Sequence, residues 1–109
     1  MKSKRLAFIL IILPLSFVVG LISGCVTQIP VDEYTMARAA YEAAKEADSA
    51  RFAPAIWFEA EQAYRAGQKS FKERHYEDAR KSFARAQSLS EQAENAARLS
   101  RNQSGEVIP

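Results

Sequence analysis

The chain has 109 residues, with 15 Lys and Arg, 13 Asp and Glu, one histidine (His75) and one cysteine (Cys25). A single cysteine excludes an intramolecular disulfide, and a single histidine leaves no second imidazole for a His-based metal site. Lys2, Lys4 and Arg5 account for the basic excess, so residues 25–109 hold 12 basic against 13 acidic side chains. That balance gives no general electrostatic reason to expect nucleic acid or an anionic surface as the partner, and the length suffices for one small domain.

The three N-terminal charges precede an apolar stretch over residues 6–22, followed by Ser23 and Gly24. This charged, apolar, small-residue order is that of an export signal, here assigned to residues 1–24. Roughly 17 apolar positions also approach the lower limit for a spanning helix. Pro14 and Gly20 interrupt the stretch, and an uncleaved inner-membrane anchor is the alternative.

Ile22-Ser23-Gly24-Cys25 resembles the lipobox of bacterial lipoproteins, an apolar residue and two small ones before an obligatory cysteine. The resemblance implies a diacylglycerol thioether on Cys25, cleavage before it and acylation of the freed amine. Ile22 stands where that pattern most often has Leu. A free exposed thiol would be a liability in an oxidising exported compartment, and lipidation removes it. Each buried methylene contributes roughly 0.8 kcal/mol, so two or more acyl chains hold a protein on a membrane that it does not cross.

Residues 25–31 read as a short extended tether containing Pro30. Asp32 offers an N-cap oxygen, and the strong helix formers that follow predict a helix over 32–50. Tyr34, Ala37, Tyr41 and Ala44 share one of its faces. A turn is expected at 51–53, and Pro54 opens a second helix over 54–73. Its seam is Trp57, Ala60, Tyr64, Gly67 and Phe71, rings alternating with small residues. KERHY holds neither Gly nor Pro, so one long helix from Pro54 is an alternative. Continuing the seam would put Arg74 and Asp78 on the apolar face, which favours a turn at Arg74 and His75. A third helix is then predicted over 76–100, with Tyr76, Ala79, Phe83, Ala86, Ala93 and Ala97 on one stripe. Residues 32–101 form the expected all-α domain, and 102–109 a flexible tail.

Residues 34–44 and 76–86 both follow Y-x-x-A-R-x-x-[YF]-x-x-A, 42 positions apart. Repetition at this spacing marks stacked helical units, and it predicts that the first and third helices are equivalent, with the second packed between them. The second unit resembles the tetratricopeptide repeat. Gly67 matches the close approach of that repeat's two helices, Tyr76 its leading aromatic, and Ala79, Phe83 and Ala86 its small-large-small positions. Arg74 stands where a turn glycine is usual, and no Pro closes the unit. The resemblance implies a three-helix tetratricopeptide-like bundle. Cys25, the Ala-rich stretch 37–47, Ala53-Pro54, Ala60, Ala63 and residues 76–97 together resemble a family of small bacterial lipoproteins that share a domain of unknown function. That family implies a location and a fold and supplies no activity.

No phosphate-binding Gly loop, nucleophile with a neighbouring base, or metal spacing occurs, so neither an enzyme nor a cofactor is expected. His75 is expected at a helix turn. Glu59 and Glu61 point about 200 degrees apart on a helix and do not pair. Glu61 with Arg65, Glu77 with Lys81 and Glu94 with Arg98 are spaced for exposed ion pairs worth a few tenths of a kcal/mol each. Trp57, Tyr64, Phe71, Tyr76 and Phe83 read as core. Phe52, Ile56 and Phe58 concentrate apolar surface beside the second turn, covering the open end of the bundle or forming a partner patch.

The leading functional expectation is a lipid-anchored envelope protein whose non-catalytic domain binds another envelope protein. Val26 follows the cysteine in place of the Asp that marks inner-membrane retention, which by resemblance favours the periplasmic face of the outer membrane. The alternatives are a self-associating helical spacer and a pilotin-like assembly chaperone.

Overall fold

A computed structural model describes residues 2–20 and 27–105 of the chain. Among the described residues the secondary structure is entirely helical: α1 (Lys2–Gly20), α2 (Val31–Glu46), α3 (Ser49–Phe52), α4 (Pro54–Lys72) and α5 (Tyr76–Gln103). The expected lipobox residues Ile22, Ser23, Gly24 and Cys25 lie outside the described residues, as do the last four residues of the expected tail.

α1 continues past Pro14 to Gly20, so the proline does not divide the helix. Leu6, Phe8, Ile9, Leu10 and Ile11 are exposed, and among the described residues α1 shows no contact with another helix. Among the described residues no helix is long and apolar enough to cross a membrane.

The expected helix over 32–50 is shorter and differently started. Pro30, not Asp32, is the N-cap residue, and Asp32 sits in the first turn beside Glu33, where both carboxylates favour the positive end of the helix dipole. The helix stops at Glu46 because Asp48 takes a left-handed conformation, φ 59°. Asp tolerates that region better than most residues. The reversal lets the single turn of α3 bury Ser49 and lay Phe52 on the bundle end. Residues 51 and 52 are thus helical, and the bend before Pro54 falls on Ala53.

α4 opens on Pro54, whose missing N–H costs nothing in a first turn. It ends one residue before the expected boundary. A sharp reversal follows, with Arg74 at φ 62° and His75 as the N-cap residue of α5. α5 runs three residues beyond the expected end, and Arg101 there donates to the Ala47 carbonyl at 2.8 Å.

α5 lies along both α2 and α4, while α2 and α4 meet less extensively. This corrects the expected order, in which the second long helix stood in the middle. The reason lies in side-chain size. α2 turns Ala37 and Ala44 inward, and α5 turns inward Ala79, Ala86, Ala93 and Ala97, all fully buried, so little stands between their backbones. α2 faces α4 through rings instead: Tyr41 stacks on Trp57 at 4.9 Å and on Tyr64 at 4.6 Å. Ser90 completes the α5 stripe between Ala86 and Ala93, buried and with no protein partner for its hydroxyl.

Phe83 is the large fully buried side chain of α5, ringed by Tyr34 at 5.3 Å, Tyr64 at 6.0 Å and Phe71 at 6.4 Å. It fits because α4 presents Gly67, where a Cβ would lie 2.6 Å from Phe83 Cδ1 and 2.7 Å from Cε1. Gly67→Ala is therefore expected to destabilise the bundle by about 1–3 kcal/mol, the usual cost of overpacking. Arg74→Gly should act in the opposite direction. Relief of about 1–2 kcal/mol of left-handed strain exceeds the added unfolded-state entropy, for a net gain of about 0.5–1 kcal/mol. Chemical denaturation of both variants checks the pair; a neutral Gly67→Ala contradicts the packing described.

Candidate functional site

Three surface features stand where the helices leave polar or apolar groups facing outward. The first is at the start of α2, where the segment leading into the bundle is held down. Pro30 is fully buried, and Arg80, one turn into α5, reaches across to it. Its Nε donates to Glu33 Oε1 at 2.9 Å, one Nη donates to the Gln28 carbonyl at 3.1 Å, and the other to Glu77 at 3.4 Å. One guanidinium thus ties the entering chain, α2 and α5 together, the forked geometry that arginine supplies and lysine does not. The residues expected to be a free tether are in part docked. Arg38, which occupies the matching place in the first repeat, is exposed.

The second is a groove between α4 and α5, about 410 Å³, bordered by Phe58, Glu59, Gln62, Ala66 and Arg85. Phe58 is 61% exposed. Glu59 and Arg85 face each other across the groove at 3.8 Å, both largely exposed. Glu59 therefore lines a surface depression after all, whereas Glu61 turns to the other side and accepts from the Tyr41 hydroxyl at 3.3 Å.

The third is the far end of the bundle. Phe52 packs on Ala47, Ala53 and Ala97, with the guanidinium carbons of Arg51 and Arg101 4.7 and 5.0 Å from its ring centre. Ile56 packs against Ala44, Trp57 and Ala93. Phe52 thus covers the end of the bundle, Ile56 packs on the next cluster inward, and Phe58 stands apart in the groove. Two residues apart on α4, Ile56 and Phe58 point about 200 degrees away from each other, as helical spacing requires.

His75 is at the turn, 64% exposed, with Glu73 at 3.6 Å. The three expected helical ion pairs form, at 3.9 Å for Glu61 and Arg65, 3.9 Å for Glu77 and Lys81, and 2.7 Å for Glu94 and Arg98. Among the described residues no three of His, Cys, Asp or Glu gather as a metal site would require. The role of Arg80 had a faint sequence signal, the repeated Y-x-x-A-R, but the partners it holds are remote in sequence.

Compared with protein-family models, curated proteins and solved structures, the chain shows no match.

Burial raises the pKa of Tyr41, assisted by the Glu61 carboxylate, and burial likewise raises that of Tyr64, assisted by Tyr34. The folded state therefore favours both neutral phenols. Their contribution to stability is full below the unfolded value near 10 and is lost as pH rises through the raised folded values. Alkaline titration followed by tyrosinate absorbance should show Tyr41 and Tyr64 ionising late, with helicity falling over the same range. Titration of all four tyrosines together at the ordinary value contradicts the stacked arrangement.

Proposed function

We propose that the chain is a lipid-anchored protein of the bacterial cell envelope whose helical domain binds another envelope protein and catalyses no reaction. In this reading residues 1–24 are a cleaved lipoprotein signal, Cys25 carries the lipid, and the outer membrane's periplasmic face is the site. The domain is a tetratricopeptide-like hairpin, α4 and α5, with α2 laid along it. Support for the hairpin comes from Gly67 against Phe83 and from the left-handed Arg74 at the turn, the position where the repeat favours glycine.

The observation that carries the binding reading is Phe58. A large aromatic side chain on a well-packed helix is left 61% exposed beside a groove whose rim offers one acid and one base. Exposed aromatics flanked by charged residues are the usual anchor of a protein contact. Self-association is the second reading, since a rim holding both Glu59 and Arg85 can complement a copy of itself. A pilotin-like role differs from the leading one only in the identity of the client.

Phe58→Ser separates contact from core. Because the ring is exposed, the substitution should change stability by no more than about 1 kcal/mol, while crosslinks that the wild-type chain makes in the intact envelope are lost. Crosslinks to a second copy select self-association, and those to another protein select client binding. An unchanged crosslinking pattern in a folded Phe58→Ser chain contradicts both.

A further inference from the structure

The start of α2, the end of α4 and the start of α5 meet at one end of the bundle. The chain arriving there is captured early. Pro30 is buried and the Gln28 carbonyl is held by Arg80, which also grips Glu33. Only residues 26 and 27 separate Gln28 from Cys25, a covalent reach of at most about 11 Å. Whatever fixes the chain at Cys25 must therefore lie close to this end.

The side chains at this end suit an interface. Ile29 and Val31 flank the buried proline yet are themselves 49% and 56% exposed. Their exposure follows from the docking of Pro30, which turns its neighbours outward. The charges nearby offset one another: Lys69, Lys72, Arg74, Arg80 and Lys81 stand against Asp32, Glu33, Glu73, Glu77 and Asp78, with Arg80 engaging Glu33 and Glu77 and Lys81 engaging Glu77. A face with no net charge and protruding aliphatic groups suits the polar-apolar boundary of a neutral bilayer better than an anionic polymer.

We propose that this end of the bundle is a lipid-facing surface, with Ile29 and Val31 set into the headgroup layer and Arg80 as the strap that holds them there. The inference rests on the reading that the chain is membrane-attached through Cys25. α5 spans 28 residues, or about 42 Å at 1.5 Å per residue. The end bearing Phe52 and Arg101 accordingly points away from the membrane, and the Phe58 groove is carried between the two.

The test uses the full protein, extracted with its anchor and reconstituted in phosphatidylcholine vesicles that contain lipid with a nitroxide-labelled headgroup. A fluorescent amino acid replaces Lys72, at the strapped end, or Lys45, at the end of α2 remote from it. The expected result is quenching severalfold stronger at position 72 than at 45. It should persist at about 1 M salt, where the screening length is only about 3 Å. The double variant Ile29→Ser, Val31→Ser should at least halve the difference, as should Arg80→Met if it remains folded. Flotation is scored first: protein that does not float with the vesicles overturns the anchored reading and this inference with it. Protein that floats but is quenched equally at both positions, or loses the difference in salt, overturns the lipid-facing surface and leaves the anchor standing.

Discussion

Phe83 has no exposed surface because α4 gives way to it at Gly67, and the arrangement of the other helices follows from that fit. With the ring pressed to the α4 backbone, Tyr34, Tyr64 and Phe71 close around it from α2 and α4. Further along α5 the stripe shrinks to Ala86, Ser90, Ala93 and Ala97, and α2 and α3 descend onto it. The core thus has one aromatic end and one end of small residues. Small side chains contribute little apolar area each, and their value is that they let backbones approach. In a domain this thin, a single added methyl at Gly67 is felt throughout.

The same asymmetry divides the surface. At the aromatic end the bundle takes hold of the entering chain through Pro30 and Arg80, and at the other it closes with Phe52 beneath Arg51 and Arg101. The groove with Phe58 lies between them on the α4 and α5 side. An anchored protein in which the anchor approaches one end has a built-in direction. The strap makes that direction a property of the domain and not of a loose linker, which in the proposed reading sets the height at which the Phe58 groove meets its partner.

Much of the fold was legible in the sequence because it is written in helical spacing. The seam from Trp57 to Gly67 and the stripe from Ala79 to Ala97 are buried as their three-and-four periodicity indicates, and the turn at Arg74 falls where the two phases disagree. The break at Asp48 was missed because Ala44, Lys45, Glu46 and Ala47 before it and Ala50 and Arg51 after it carry high helix propensity, while the signal was one Asp-Ser pair. The middle helix was misplaced because the repeat reports which helices are alike and not which ones touch; ring size on one face and alanine on the other decided that. The Arg80 strap joins residues 47 to 52 positions apart, beyond the reach of any local pattern. Of the candidate surface, Phe58 was legible as apolar and its separation from Ile56 follows from their two-residue spacing on α4, whereas the place of Phe52 depends on where α3 lays the chain.

In the proposed reading the helical domain of α2 to α5 is held at a membrane by Cys25. Intact mass measurement of the protein extracted from its native envelope tests this most directly. The account predicts a chain of residues 25–109 carrying a thioether-linked diacylglycerol on Cys25. A chain that keeps residues 1–24 with an unmodified Cys25 thiol contradicts it.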